Sequence, residues 1–220
     1  MICDVIATGS KGNAVVLNKM ILLDCGVPYK LLEPYVRGLK LVLLTHIHGD
    51  HFNPATIRRL HKERPTLRFG CCEWMALPLL DAGVSAKCID VYTQDLVYSY
   101  GDTIGISPFW LAHDVENCGY RIFLGGVSKA LYATDTGSLE GIVARGYDLY
   151  MIEANHTEEE IAERIKRKTE AGEFVYEYRA AAGHLSREKA DAWLAQNATP
   201  GKSCVVYLHQ HHDENERMQQ

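Results

Sequence analysis

His46-Ile47-His48-Gly49-Asp50-His51 follows directly on Leu41-Val42-Leu43-Leu44, and this junction governs how the rest of the chain reads. The apolar run predicts a buried strand over Leu41–Thr45. A strand sends alternate side chains to one side, so His46 and His48 can grip one cation. Asp50 and His51 lie past the strand, on a turn opened by Gly49, and can reach a second. Imidazole and carboxylate suit zinc, manganese or iron, and two such metals close together make a hydrolytic site.

The same arrangement recurs downstream. His113-Asp114 follows Phe109-Trp110-Leu111-Ala112. Asp135 follows Ala130-Leu131-Tyr132-Ala133-Thr134, and His209 follows Cys204-Val205-Val206-Tyr207-Leu208. In open sheets, ligands collect in the crevice beyond the strand ends. A lone histidine at a strand end is most often a surface or satisfied residue. A ligand type at the end of each of these runs is hard to read that way. His209 comes first after its strand and is preferred as the last ligand, with His211 and His212 as alternatives.

With these residues the chain resembles the metallo-β-lactamase superfamily over nearly all its length. His46, His48, Asp50 and His51 match its HxHxDH signature, and His113, Asp135 and His209 match its later ligand positions. Asp24, closing Met20-Ile21-Leu22-Leu23, matches an aspartate that braces the ligand loop. The resemblance implies an α/β fold of the αββα sandwich type. It implies two divalent metal ions, zinc first with manganese or iron as alternatives. One ion would lie on His46, His48 and His113, the other on Asp50, His51 and His209, with Asp135 between them. Gly9-Ser10-Lys11-Gly12-Asn13, Leu23-Asp24-Cys25-Gly26, Ile152-Glu153-Ala154-Asn155-His156 and Gly183-His184-Leu185-Ser186 resemble more narrowly the WalJ/YycJ branch of small bacterial and phage proteins, related to nuclease members. The chain departs from that branch at Thr157, where Asp is usual, and at Gln210-His211-His212, where Leu-Ser is usual after the final ligand.

The expected chemistry follows. A hydroxide held between two metals is a nucleophile at neutral pH, and both metals can neutralise charge on a phosphoryl transition state. Asp50 can orient that hydroxide. His184 matches a histidine of transfer-RNA-processing relatives that serves the leaving group, and Glu153 matches the glutamate that orients its ring. On sequence alone, Glu153→Gln is a milder version of His184→Ala. The reading is therefore a dinuclear phosphodiesterase, first a nuclease on DNA or RNA. A small-molecule enzyme, for example on cyclic nucleotides, is the alternative. A thioester or lactone hydrolase, or a metal-stabilised binding module, comes behind.

Composition bounds the rest. The 220 residues suit one metallo-hydrolase domain over 1–212 with a polar tail over 213–220. No apolar stretch approaches the ~20 residues of a membrane span, and the acidic start Met1-Ile2-Cys3-Asp4 is not expected to act as a signal peptide. Seven cysteines without a CxxC pair read as reduced thiols, which points to the cytoplasm. The net charge of −5 gives no global attraction to nucleic acid. One basic cluster, Arg164, Lys166, Arg167 and Lys168 with Arg179 beyond, is either a solvated helix face or a phosphate contact beside the metals. A nucleic-acid or nucleotide substrate is expected, no membrane, and a homodimer is allowed for.

The stretch between Asp135 and His209 is too short for the second domain that β-CASP nucleases insert there, and no Gly/Pro-rich tRNA-gripping arm stands out. Strands are predicted at Ile2–Ala7, Ala14–Leu17, Met20–Asp24, Leu67–Gly70, Thr103–Pro108, Cys118–Leu124, Leu131–Thr134, Leu149–Glu153 and Cys204–Leu208. Helices are predicted at Pro54–Lys62, Glu73–Asp81, Glu158–Thr169 and Arg187–Gln196, the last with Ser186 as N-cap. Gly9 through Asn13 reads as a hairpin turn rather than a phosphate nest. His61 is expected on the surface, and Trp74, Trp110 and Trp193 in the core. No internal repeat is evident.

Overall fold

The computed structural model describes residues 1–210. His211, His212 and the 213–220 tail fall outside them. The strands form two six-stranded sheets. The first holds β1 (Cys3–Ala7), β2 (Ala14–Leu17), β3 (Ile21–Leu23), β4 (Leu41–Leu44), β5 (Arg68–Cys72) and β6 (Ile89–Tyr92) in chain order. The second holds β7 (Tyr98–Tyr100), β8 (Ile104–Leu111), β9 (Asn117–Leu124), β10 (Ser128–Ala133), β11 (Leu149–Glu153) and β12 (Cys204–Leu208), also consecutively. Helices α1 (Tyr29–Leu32), α2 (Pro54–Glu63) and α3 (Ala76–Asp81) connect the first sheet, and α4 (Glu158–Glu170), α5 (Glu177–Gly183) and α6 (Arg187–Asn197) the second.

Strand alternation explains the layers. Val15, Leu17, Leu23 and Leu43 point inward and meet Ile106, Tyr120, Ile122, Tyr132 and Met151 of the other sheet. Their neighbours Val16, Leu22, Val42 and Leu44 point outward onto Ile57 and Leu60 of α2 and Leu79 of α3. On the far side Leu131, Tyr150 and Ile152 face Trp193 and Leu194 of α6. Strands covered on both faces need unbroken apolar runs. That is why Leu41–Leu44 and Leu149–Glu153 lack the polar alternation of a half-exposed strand.

Each sheet opens with antiparallel strands and closes with parallel ones. In the first, β1–β2–β3 are antiparallel and β3–β4–β5–β6 parallel. In the second, β7–β8–β9–β10 are antiparallel and β10–β11–β12 parallel. The two sheets thus share an antiparallel-then-parallel order, with the switch at β3 in the first and at β10 in the second, although no repeat shows in the residues. The carboxyl ends of β3, β4, β8, β10, β11 and β12 are where Asp24, His46, His113, Asp135, Glu153 and His209 sit.

Several elements differ from the sequence expectation. The edge strands β6 and β7 were not predicted, because Ile89-Asp90-Val91-Tyr92 and Tyr98-Ser99-Tyr100 are short and partly polar. β8 runs through Pro108 to Leu111. The Pro108 carbonyl accepts from Asp95 N–H on the side where β7 has ended, so the missing proline amide leaves no ladder bond unmade. The segment from Glu73 begins as a 3-10 turn, Glu73–Met75, before α3. Pro78 has no amide to continue an α-helical ladder back to Trp74. Helix α5 was missed, and Ser186 caps α6 as expected by accepting from Lys189 N–H. His61 is half-buried and accepts Ser85 N–H. Trp193 lies in the core, but Trp110 is 50% exposed. Alternation turns it inward at the far end of β8, where the facing sheet has stopped, and it meets the edge of Trp74 instead.

Two segments of the first sheet, at Asn13 and at Cys25-Gly26, hold the ligand loop and each other. Asn13 N–H donates to the Asp50 carbonyl at 2.6 Å, Cys25 N–H to that of His51 and Gly26 N–H to that of Asn13. A Cβ on Gly26 would stand 1.6 Å from the Asp50 carbonyl oxygen. Gly26→Ala is therefore expected to cost about 3 kcal/mol or more, the upper end of core overpacking. Urea unfolding checks this, and a midpoint equal to wild type would contradict the close approach. Among the described residues no helix is long and apolar enough to cross a membrane.

Candidate metal centre

The site starts from Asp24, fully buried behind the ligand loop. Its carboxylate accepts from Thr45 N–H (3.0 Å), Thr45 Oγ1 (2.9 Å), Tyr132 OH (2.8 Å) and His51 Nδ1 (2.8 Å). Thr45 Oγ1 in turn lies 2.9 Å from His46 Nδ1. On the other side Glu153 Oε1 lies 2.9 Å from His209 Nδ1 and 2.6 Å from His184 Nδ1, while Oε2 accepts from Thr136 N–H and Leu185 N–H. Four imidazoles thus have Nδ1 held by a carboxylate or hydroxyl oxygen. In His46, His51 and His209, the three of these that are candidate ligands, Nε2 is then the nitrogen turned to a cation, and in His184 it is the nitrogen left for proton transfer. His46 Nε2 is buried and has no hydrogen-bond partner.

The donor atoms converge. His46, His48 and His113 bring theirs within 4.8 Å of one another, as do His46, His51 and Asp135. His48 Nδ1 is 3.3 Å from His113 Nε2. Asp50 Oδ2 is 3.6 Å from His51 Nε2 and 3.9 Å from His209 Nε2. Asp135 Oδ2 is 2.8 Å from His51 Nε2. Ligands about 2.1 Å from one tetrahedral ion stand about 3.4 Å apart, so the 3.3 Å between His48 and His113 and the 3.6 Å between Asp50 and His51 are of the size a bound cation needs, while Asp50 falls in none of the converging sets. Asp135 belongs both to a cluster with His46 and His51 and to one with Glu153, His184 and His209, the place a bridging carboxylate would take.

The electrostatics agree with a cation-seeking site. Burial, then the neighbouring His51 charge, pushes His46 down to about 2, so it stays neutral. Burial would also depress His51, but Asp135 and Asp24 on either side lift it well above the usual histidine range. His184 is raised in the same sense, its burial outweighed by the Glu153 bond and then Asp135. The buried carboxylates draw positive charge onto whatever lies between them.

Backbone strain gathers here. Asp24, Asp135 and His209 adopt left-handed φ of 56°, 55° and 53°. Non-glycine residues held there store strain, which clusters at functional sites. The geometry turns each side chain off its strand end toward the shared cavity. Asn117 Nδ2 steadies one such turn through the Thr134 and Asp135 carbonyls, and Asn155 Nδ2 another through that of His209.

Sequence reasoning passed over Asn13. The Gly9–Asn13 stretch is a turn, closed by Gly12 N–H to the Gly9 carbonyl. Its Asn13 Nδ2 also donates to Asp50 Oδ2 at 3.2 Å. The Gly-Ser-Lys-Gly-Asn motif was visible, but its partner lies across the site. Asn13→Ala is expected to lower metal affinity or turnover 10- to 100-fold, the usual range for a group that orients a ligand. Metal titration checks this, and unchanged affinity and turnover would remove Asn13 from the site.

The basic cluster is redistributed. Lys168 pairs with buried Glu177 at 2.7 Å and lies over the Tyr176 ring. The acidic first turn and basic last turn of α4 complement its helix dipole. Thr157, the departure from the branch pattern, closes a capping box with Glu160. Arg179 lies 3.8 Å from Asp114, whose carboxylate is 3.1 Å from His113 Nε2, and so stands at the mouth of the site.

Two facing sheets, helices outside both, and a histidine–carboxylate cluster at the strand ends define the metallo-β-lactamase fold. The chain belongs to the beta-lactamase superfamily domain family, which matches residues 19–210. ML1173 of Mycobacterium leprae, described as uncharacterized, is 32% identical over 133 residues. The match covers 53% of this chain and 47% of that protein, about half the length of each. YhfI of Bacillus subtilis, a metallo-β-lactamase fold protein, superposes with a TM-score of 0.69 at 18% identity, over 99% of this chain and 89% of its own. The short form of human tRNase Z gives 0.68 at 17% identity, over 100% and 95%. At such identities the likeness is one of fold.

Proposed function

We propose that this chain is a dinuclear metal-dependent phosphodiesterase of the nuclease type, akin to the WalJ/YycJ branch. The observation that carries the reading is Glu153 with His184, bonded at 2.6 Å beside two sets of converging donors. His46, His48 and His113 would hold one divalent ion, and Asp50, His51 and His209 the other, with Asp135 between. Bound there, such ions supply a water-derived nucleophile at neutral pH and charge stabilisation for a phosphoryl group. Asp50, fixed by Asn13, orients the attacking group. Glu153 holds the His184 ring by Nδ1, so Nε2 is the atom that carries a proton to the leaving oxygen. Arg179 at the mouth meets an incoming phosphate.

A small-molecule phosphodiesterase is the second reading, favoured by the loss of Lys168 from the basic cluster. A metal-supplemented panel tests both: bis-p-nitrophenyl phosphate, cyclic nucleotides, single- and double-stranded DNA, RNA and a thioester. Hydrolysis of polymers with a steep fall in affinity as salt rises supports the nuclease. Hydrolysis of the thioester alone would overturn both readings.

A further inference from the structure

A second cavity opens at the same edge of the first sheet. It has a volume of about 620 Å³ and lies at the ends of β5 and β6, walled by Trp74, Tyr92, Glu73, Gln94 and Glu116. That size suits a nucleoside-sized group. Two segments tie it to the metal centre. Trp74 Nε1–H donates to the carbonyl of Thr45, the residue before His46, at 3.0 Å. Glu116 lies three residues past His113, on the same loop. Outside the cavity, Trp110 packs edge-to-face on Trp74 with centroids 5.8 Å apart and stays 50% exposed. The metal chemistry uses none of these side chains.

We infer that this cavity takes the nucleobase of the substrate, and prefers a base with an exocyclic amino group, as in cytosine or adenine. The inference rests on the phosphodiesterase reading for the phosphate end. Exposed indole is a sequence-tolerant stacking surface for a base. Glu73 and Glu116 offer only acceptors, and neither carboxylate has a hydrogen bond or ion pair among the described residues. Carboxylates repel phosphate and accept from amino groups, as Asp and Glu do from cytosine N4. The charge therefore sets the orientation, with the base toward Glu116 and the phosphate toward the imidazoles and Arg179. Uracil and thymine present a carbonyl where cytosine presents the amino group, and they are disfavoured.

Equilibrium dialysis of the metal-loaded protein with cytidine, adenosine and uridine 5′-monophosphates tests this, alongside hydrolysis of base-free bis-p-nitrophenyl phosphate. The expected result is about tenfold tighter binding of the cytidine and adenosine nucleotides than of the uridine one. Trp110→Ala should weaken all three by about tenfold. Glu73→Ala with Glu116→Ala should erase the preference. Both variants should hydrolyse bis-p-nitrophenyl phosphate like wild type. Trp74 is left intact because it braces Thr45. Equal binding of cytidine and uridine nucleotides, or a preference untouched by the variants, would overturn the base pocket even where bis-p-nitrophenyl phosphate is cleaved. Selective binding lost in the variants, with no phosphodiester cleaved by wild type, would uphold the pocket and refute the phosphodiesterase instead.

Discussion

Asp50→Ala is expected to lose phosphodiester hydrolysis by roughly 10²–10³-fold or more, the scale of removing one group that positions charge at the reacting centre. The chain should remain folded. Asp50 is only partly buried, and it is its backbone carbonyl that accepts the Asn13 backbone N–H tying the ligand loop to β2, a bond that Asp50→Ala keeps. The apolar layers on both faces of each sheet do not involve it. Its carboxylate stands 3.6 Å from His51 Nε2 and 3.9 Å from His209 Nε2, so the variant should also bind its second cation weakly. Hydrolysis of bis-p-nitrophenyl phosphate, with circular dichroism as the folding check, reads the effect. Activity above about a tenth of wild type would count against the role given to Asp50.

The second large effect reverses an expectation drawn from sequence. Glu153→Gln should be more damaging than His184→Ala. The sequence reading gives Glu153 one task, orienting His184. In the structure Glu153 Oε1 also meets His209 Nδ1, and Oε2 takes the amides of Thr136 and Leu185. One carboxylate therefore orients a candidate ligand, the candidate acid and the turn that follows Asp135. A glutamine has one acceptor oxygen and an amide that cannot accept from a backbone N–H. At least one of those partners is left unpaired in a buried site, at about 1–3 kcal/mol. His184→Ala should cut turnover on natural phosphodiesters by about 10²–10⁴-fold. It should harm p-nitrophenyl esters much less, because that leaving group needs little protonation, and metal content should hold. Glu153→Gln should reduce turnover on both substrate types and lower the metal content. Metal content retained in Glu153→Gln, with turnover on p-nitrophenyl esters intact, would restore the simpler role.

Sheet strands and candidate ligands were legible because a strand buried on both faces leaves an unbroken apolar run, and several of these runs end on a ligand type. Leu41–Leu44 before His46 and Cys204–Leu208 before His209 are the clearest cases. The edge strands β6 and β7 were hidden because half-exposed, short segments carry no such signature. Tyr92, Tyr98 and Tyr100 read as loop residues until their partners are seen. The antiparallel-then-parallel order common to both sheets was invisible because burial, not residue identity, is what the two halves share. Asn13 and the second duty of Glu153 are contacts across long sequence separations, which no local pattern reports. Trp110 was placed in the core on its type, when its position at the end of β8 decided its exposure.

The most direct test is metal content by plasma mass spectrometry of purified protein dialysed against a zinc- or manganese-containing buffer and then against none. The account predicts about two ions per chain in wild type and a clear drop in Asp135→Ala, whose carboxylate lies between the two donor sets. One ion per chain in wild type, unchanged by Asp135→Ala, would contradict the dinuclear centre.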